Sequence, residues 1–179
     1  MLTLLFTMIH LVGVFSKQMD VDAIIVMGVS GCGKTTIGTQ IAKHLGWTYK
    51  DGDEFHSDAN ITKMSSGIPL NDEDRRPWLT AINDYCKSHP KVVVGCSALK
   101  RKYRDMLRND VRCKFIFLNV SRKELERRLQ LRKDHYMPSH LLDSQLATLE
   151  PPGADENTLT LNIENEAPIE VTEALIKRL

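Results

Sequence analysis

The clearest chemical signal in the sequence is a glycine-rich stretch, GVSGCGKT, at residues 28–35. It fits the pattern GxxxxGK[ST] in full, after an apolar run and before a segment with helical periodicity, which is the context that the pattern needs. Glycines allow backbone N–H groups to surround phosphate oxygens at the positive end of the following helix. The stretch therefore predicts that the chain binds a nucleoside triphosphate, and the residues expected to hold it are Gly28, Val29, Ser30, Gly31, Cys32, Gly33, Lys34, Thr35 and Thr36.

Two residues of this stretch have individual chemical roles in the pattern. The Lys34 ammonium is expected to reach the β- and γ-phosphates, and the Thr35 hydroxyl is expected to bind Mg²⁺. Lys34 is therefore a predicted catalytic residue and Thr35 a predicted metal ligand.

An acidic pair, Asp51 and Asp53, follows the second predicted strand. The acids that P-loop proteins often carry elsewhere are missing: residues 92–97 end without the Asp of a Walker B strand, and no Asn/Thr-Lys-x-Asp segment of a GTPase occurs late in the chain. One carboxylate of the pair could hold Mg²⁺ through water while the other accepts a hydrogen bond from a substrate hydroxyl. A solvated Asp-Gly turn is the alternative.

The elements that must position these residues alternate between short apolar runs and amphipathic stretches. The pattern predicts strands at residues 23–27, 47–50, 91–95, 114–119 and 159–163, and helices at 35–45, 60–65, 78–87, 100–107, 122–131, 139–148 and 169–179. Residues 51–77 form a polar connection. β-Branched strands alternating with helices indicate an α/β fold, a doubly wound parallel sheet with helices on both faces and its site at the carboxyl ends of the strands.

Length and charge narrow the class of protein further. The 179 residues suit one compact domain, and 24 Lys+Arg against 23 Asp+Glu give no basic footprint for a nucleic-acid partner. We interpret residues 1–18 as an N-terminal appendage to a domain at 19–179, with a targeting or membrane-associating segment or an added structural element as alternatives. The apolar part, residues 1–15, is shorter than the roughly 20 residues that span a bilayer, so no stable membrane partner is expected.

The four cysteines, Cys32, Cys86, Cys96 and Cys113, have neither CxxC spacing nor histidines at zinc-site intervals. They are expected to be buried thiols in a reducing compartment, the cytoplasm. Cys32 differs because the motif puts it near a helix N-terminus, where thiolates are favoured, so we expect nucleotide to protect it from alkylation.

The sequence resembles the gluconokinases, small P-loop kinases that phosphorylate D-gluconate at its 6-hydroxyl. The matching stretches run in order from Met27 to Glu156 and read MGVSGCGKT, DGDEFH, SGIPLNDEDRRPWL, GCSALKRKYRD, HYMP and TLEPPGADE. The resemblance implies ATP and Mg²⁺, D-gluconate as the small-molecule substrate and a homodimer as a plausible assembly. We therefore predict a P-loop kinase domain with a five-stranded parallel sheet, helices on both faces and a short lid.

Two rival functions keep the phosphate-binding motif. One is a kinase for another hydroxy acid, such as shikimate, against which the DGDEFH and PLNDEDRRPWL stretches argue. The other is a nucleotide-binding regulator or inactive paralogue, against which the retention of Lys34, Thr35, Asp51 and Asp53 argues.

The resemblance implies that Asp51 lies near Mg²⁺ and that Asp53 lies near the sugar acid as the base or orienting group. A carboxylate substrate also favours cationic partners. The substrate-binding residues expected on this basis are Asp53, His56, Lys63, Arg75, Lys100 and Arg104, with Arg76 less favoured. The alternatives are that His56 caps a turn, that the two arginines pair with Asp72 and Asp74, and that Lys100 and Arg104 lie on the surface.

Arg128 and Arg132 are four residues apart, and helical spacing puts them on one face. By the resemblance they lie at the edge of a lid, around residues 128–140, with Arg128 on the nucleotide and Arg132 catalytic. A solvated charged face is the alternative. The family pattern Gly-His-Phe-Met-Pro begins here with Asp134, which replaces a flexible residue by a charged one.

Overall fold

The structure, a computed structural model, describes residues 19–131 and 139–179. Five strands, all parallel, form one sheet in the order β2-β3-β1-β4-β5. Their bounds are β1 Ala23–Met27, β2 Thr48–Asp51, β3 Val92–Gly95, β4 Cys113–Val120 and β5 Thr158–Ile163. The predicted five-stranded parallel sheet is therefore confirmed, with both ends of each strand within one residue of the prediction.

Seven α-helices of the described chain cover the two faces of this sheet. Their bounds are α1 Lys34–Leu45, α2 Asp58–Ser65, α3 Asp72–Ser88, α4 Arg101–Leu107, α5 Arg122–Gln130, α6 Ser139–Thr148 and α7 Pro168–Ile176. Helix α1 packs against α7, β2 and β3, while α3 packs against α4. Within the described ranges, no helix is both long and apolar enough to cross a membrane.

The core is centred on β1, the middle strand of the sheet. All five of its residues are fully buried, because helices cover both faces and β3 and β4 flank it. A β-branched and aliphatic run of this kind fits a strand that has no solvent-facing side. The glycine-rich loop begins directly after the carboxyl end of this strand.

Helix α3 begins six residues earlier than predicted. The Asn71 side chain accepts a hydrogen bond from Asp74 N at 2.9 Å, and Asp74 Oδ2 accepts one from Asn71 N at 2.8 Å. This reciprocal cap starts the helix at Asp72, so Pro77 falls inside it, where the sequence pattern had suggested a boundary. The polar connection is therefore largely helical, and Arg75 is displayed by a rigid element.

A short 3₁₀ helix over Gly52–Phe55 also lay outside the prediction. Asp51 ends β2 and caps this helix, since its Oδ1 accepts from Asp53 N at 3.1 Å. Three predictions lie outside the described residues: the appendage at 1–18, the catalytic role of Arg132 and the part of the lid at residues 132–138.

Candidate active site

The glycine-rich loop connects β1 to α1 at the carboxyl edge of the sheet. Gly28 has φ +139°, and a Cβ there would meet the Leu118 carbonyl oxygen and Cys32 Sγ at 2.9 Å each. Only glycine fits such a position without strain. At the other end of the loop Gly33 (φ +103°) directly precedes α1, whose first N–H groups have no intrahelical acceptors. The loop thus presents backbone donors at a helix N-terminus, as a phosphate site requires.

Lys34 folds back over this loop. Its Nζ donates to the carbonyl oxygens of Gly28 and Val29, both at 3.2 Å. The ammonium is therefore held at the mouth of the loop by neutral acceptors that a phosphate can replace. Cys32 is buried, with 1% of its surface exposed, and this packing restricts access to its thiol.

Thr35 and Asp51 come together although 16 residues separate them. Thr35 Oγ1 donates to Asp51 Oδ2 at 3.1 Å, because β2 ends beside β3, one strand away from the loop. Both are oxygen donors of the kind that Mg²⁺ prefers. No cluster of three His, Cys, Asp or Glu side chains able to hold a metal occurs among the described residues. This donor set fits a Mg²⁺ ion held mainly by phosphates and water, with few protein ligands.

Tyr49 makes a further contact with Asp51 that the sequence did not suggest. Its hydroxyl donates to Asp51 Oδ2 at 3.3 Å, and burial raises the pKa of the phenol. The ring occupies a slot that two glycines leave open: a Cβ on Gly38 would lie 2.6 Å from Tyr49 Cε2, and one on Gly95 would lie 2.5 Å from the hydroxyl. Asp51 is thus held through both carboxylate oxygens.

Asp53 projects from the 3₁₀ helix into solvent, with 81% of its side chain exposed. His56, by contrast, is 5% exposed, stacks on Trp78 with ring centroids 4.3 Å apart, and has its Nε2 3.9 Å from Asp53 Oδ1. Trp78 Nε1 donates to the Gly52 carbonyl at 2.7 Å, which fixes this corner. Burial lowers the pKa of His56, Asp53 acts in the opposite direction, and the charge on Arg75 lowers it further.

The cationic residues predicted for the acceptor lie around the start of α3 and are engaged with it. Lys63 Nζ pairs with Asp74 Oδ2 at 2.5 Å, and Lys100 Nζ pairs with Asp72 Oδ1 at 2.9 Å. Hydrogen bonds from Lys102, Tyr103 and Lys100 hold the pKa of Asp72 far below its usual range.

The two arginines of α3 behave differently from each other. Arg75 Nη1 donates to the Tyr103 hydroxyl at 3.3 Å. It does not form an ion pair with Asp72 or Asp74, which was the alternative to a role in substrate binding. Arg76 lies at the surface, with its Nε 3.8 Å from Glu73 Oε2. Arg75 therefore shares the surroundings of His56 and Lys100, and Arg76 does not.

Arg104, expected at the substrate, instead lies in the folded core with no exposed surface. Its Nε and Nη2 donate to the two carboxylate oxygens of Glu156 at 2.6 and 2.9 Å, and its Nη1 donates to the carbonyls of Ala98, Leu99 and Glu150. Every nitrogen of the guanidinium thus donates to another group inside the protein. The expectation for Arg104 is corrected: in this structure it supports the turn after β3, and no surface is left to contact a ligand.

Arg128 reaches the loop from α5. Its Nη1 donates to the Cys32 carbonyl at 3.1 Å and its Nε to Glu124 Oε1 at 2.7 Å. Beside it opens a cavity of about 390 Å³, within the size range of ligand sites. Its walls include Gly31, Gly33 and Arg128, together with residues 165–168, which connect β5 to the first residue of α7. Those last residues carry no recognisable motif, and only the fold reveals them as part of a site.

Helix α6 contributes one further contact that the sequence reasoning missed. Gln145 Oε1 accepts a hydrogen bond from Ser30 N, in the glycine-rich loop, at 2.7 Å. A glutamine inside an amphipathic stretch gives no signal of such a role.

Comparison with known proteins places this arrangement in a family. The shikimate kinase family model matches residues 30–179. A gluconokinase of Gluconobacter oxydans is 48% identical over 159 residues, covering 86% of this chain and 89% of the relative. The thermoresistant gluconokinase of Escherichia coli is 42% identical over 151 residues, covering 82% and 86%. A crystal structure of a gluconokinase from Sinorhizobium meliloti 1021 superposes with a TM-score of 0.80 at 44% identity, covering 88% and 92%.

Proposed function

The chain belongs to the gluconokinase family, and on that premise we propose that it transfers the γ-phosphoryl group of ATP to the 6-hydroxyl of D-gluconate, giving 6-phospho-D-gluconate and ADP. The observation that carries the proposal is the contact between Thr35 of the phosphate loop and Asp51 of the DGDEFH stretch, at 3.1 Å. It joins the donor side and the acceptor side of a phosphoryl transfer at one edge of the sheet. In the transfer the 6-hydroxyl oxygen of gluconate bonds to the γ-phosphorus, and the bond between that phosphorus and the β,γ-bridging oxygen breaks, which releases ADP. The hydroxyl proton passes to Asp53.

The nucleotide is assigned to the loop and to the cavity beside it. Residues 28–36 hold the phosphates through backbone donors, Lys34 and Thr36, while Arg128 approaches the same loop from α5. The cavity lined by residues 165–168 is large enough for a nucleoside. Lys34 releases the two carbonyls it now contacts and pairs with the phosphoryl group under transfer.

The metal is assigned to Thr35 and Asp51, with Tyr49 holding the carboxylate in place. Bound Mg²⁺ would neutralise charge on the phosphates. The residues of this chain orient that corner before any ligand arrives, because Asp51 is fixed through both of its oxygens.

The acceptor is assigned to the corner between the 3₁₀ helix and the start of α3 and α4. Asp53, exposed and joined through its backbone N–H to Asp51, orients the 6-hydroxyl and takes its proton. His56, Lys63, Arg75 and Lys100 bind the sugar acid. Lys63 and Lys100 now pair with Asp74 and Asp72, so a substrate carboxylate would exchange with those acids for the same cations.

We also propose a domain organisation, a cellular location and an assembly for this chain. Residues 19–179 form the kinase domain and residues 1–18 an appendage; a lid around residues 128–140 carries the catalytic Arg132. We place the reaction in the cytoplasm, because all four cysteines are unpaired and buried. A homodimer is the expected assembly, with neither nucleic acid nor membrane as a partner.

An ADP-release assay with Mg·ATP tests the function directly. The acceptors are D-gluconate, shikimate, other sugar acids and no acceptor, and the Lys34→Met variant serves as the inactive control. Turnover that depends on D-gluconate supports the proposal. Turnover only on another acid would overturn the assignment of the acceptor corner, and nucleotide binding without turnover on any acid would favour a regulator.

A further inference from the structure

The hydrogen bond between Ser30 N and Gln145 Oε1 joins two segments 115 residues apart, at 2.7 Å. The bond is short for an N–H···O pair and involves the backbone of the loop itself. Because the donor is a backbone N–H, the oxygen of the amide must face the loop and the nitrogen must face away from it. The orientation of the Gln145 amide is thus determined by its partner.

Helix α6 holds this side chain from a firmly packed position. Leu142, one turn before Gln145, is 2% exposed, and the chain after the helix is tied to the turn after β3 by Glu150 N donating to Leu99 O at 2.8 Å. The contact to Ser30 is therefore made by a docked helix and not by a loose surface side chain.

The two halves of the loop face different parts of the site. Gly31–Gly33 line the cavity with Arg128, whereas Gly28 N donates to Ser97 O at 3.3 Å, in the turn that leads to Lys100 and the acceptor corner. Ser30 lies where the first half meets the second. Gln145 thus contacts the loop at the residue that lies between the part facing the cavity and the part bonded to Ser97.

The amide has one group left for a ligand. Within the residues that the structure describes, Gln145 Nε2 has no hydrogen-bond partner, while Oε1 is occupied by Ser30 N. We propose that Gln145 donates from Nε2 to an oxygen of the γ-phosphoryl group under transfer, an assignment that rests on the proposed kinase function. Phosphoryl transfer develops charge on the equatorial oxygens, and a fixed neutral donor stabilises that charge without rearrangement.

The Gln145→Glu variant separates this role from a structural one. A carboxylate has the same size and still accepts from Ser30 N, but it has no donor and carries negative charge. We measure by calorimetry, with Mg²⁺ present, the affinities for ADP and for the non-hydrolysable ATP analogue AMPPNP. Since hydrogen bonds to charged groups contribute about 1.5–3 kcal/mol, AMPPNP should bind at least about tenfold more weakly, while ADP, which lacks the γ-phosphoryl group, changes less than about threefold.

Two further variants control for charge and for folding. Gln145→Met removes the donor, together with the acceptor of Ser30 N, without adding charge, and should lower the AMPPNP-to-ADP affinity ratio by a smaller factor in the same direction. Gln40→Glu is the matched control, because the Gln40 oxygen also accepts a hydrogen bond, from Thr172 Oγ1 at 2.6 Å, where α1 packs against α7. It should leave both affinities unchanged.

An equal loss of ADP and AMPPNP affinity in Gln145→Glu would show that the residue only shapes the loop and would overturn the proposal, as would no loss at all. The comparison needs no acceptor, so it stands whether or not D-gluconate is the substrate. If the wild-type protein phosphorylates D-gluconate, kcat of Gln145→Glu should fall at least about tenfold with little change in KM for gluconate. An unchanged kcat there would contradict the contact while leaving the proposed function intact.

Discussion

At the scale of single residues, Asp51 and Asp53 differ in how much freedom they have. Asp51 is held by Thr35, Tyr49 and the backbone N–H of Asp53, whereas the Asp53 side chain is exposed and its Oδ1 lies 3.9 Å from His56 Nε2. An anchored carboxylate suits a metal site, and one that can turn toward a ligand suits proton transfer. The sequence DGD does not reveal this division, because the fold decides that Asp51 ends β2 and caps the 3₁₀ helix while Asp53 lies on that helix.

Replacing Asp53 by Asn should therefore lower kcat about 100-fold or more, the usual contribution of a positioned base, with ATP affinity nearly intact. Steady-state kinetics and nucleotide titration measure the two effects. Asp58→Asn, at the exposed start of α2, is the control and should match the wild type. If Asp53→Asn turned over at the wild-type rate, Asp53 would have no role in proton transfer.

His56 should give the fold a specific dependence on pH. Burial lowers its pKa, so the unfolded chain takes up a proton at higher pH than the folded protein does. The free energy of unfolding is then constant above the ordinary histidine range and decreases as pH falls from about 6.5 toward the folded pKa, with a slope of at most about 1.4 kcal/mol per pH unit.

Urea denaturation of wild type and His56→Phe between pH 8 and 5 measures this slope. Phenylalanine keeps the stacking surface on Trp78 and removes the titrating group. The difference in unfolding free energy between the two proteins should change below pH 6.5 and be constant above it. Parallel curves throughout would mean that His56 takes up its proton equally well in the folded and unfolded chains.

At the scale of elements, the edge of the site depends on how β2, β3 and α1 leave room for Tyr49. A Cβ on Gly95 would lie 2.5 Å from the Tyr49 hydroxyl, so Gly95→Ala should destabilise the protein by about 1–3 kcal/mol, as overpacking does. Combining it with Tyr49→Phe removes the clashing oxygen and should recover most of that loss. Denaturation midpoints of the two single variants and the double variant give the coupling.

Tyr85→Phe provides the comparison for this cycle, because Tyr85 contacts Phe55 and His89 and not Gly95. It should not relieve Gly95→Ala. Additive effects of Tyr49→Phe and Gly95→Ala would show that the hydroxyl and the added methyl group do not compete for the same space.

The sequence predicted elements better than it predicted their junctions. Strands such as β1 and β3 are continuous apolar runs, and their burial and parallel pairing follow from that pattern. The start of α3 did not follow, because the Asn71–Asp74 cap overrides the break that Pro77 suggests. Likewise the motif located Lys34 and Thr35, whereas Tyr49 and Gln145 enter the site only through contacts between distant segments, for which a sequence carries no periodic signal.

At the scale of the whole molecule, the buried pair of Arg104 and Glu156 joins α4 to the segment before β5. Both side chains are at most 1% exposed, and Arg104 also binds the carbonyls of Leu99 and Glu150. Removing one partner of a buried pair leaves an uncompensated charge, so Glu156→Gln should lower the free energy of unfolding by about 3–5 kcal/mol. Asp155→Asn, which breaks only an exposed pair with Arg101, is the control and should have little effect.

The Arg104–Glu156 pair also makes the free energy of unfolding depend on pH in the acidic range. Hydrogen bonds from Arg104 lower the pKa of Glu156 to about 2, from an ordinary value of 4.5. Its contribution to stability is therefore complete above pH 4.5 and is lost as pH falls toward 2. Acid unfolding monitored by circular dichroism should show that loss in the wild type and not in Glu156→Gln. A Glu156→Gln protein as stable as the wild type at neutral pH would mean that the pair adds nothing net to the fold.

The phosphate loop is held from two sides by helices that the chain reaches one after the other. Arg128 of α5 binds the Cys32 carbonyl, and Gln145 of α6 binds the Ser30 N–H. Two helices that follow each other along the chain therefore contact loop residues only two positions apart. A nucleotide that binds the folded loop and not the unfolded chain stabilises both contacts by linkage, so its effect on stability should extend from the loop into α5 and α6.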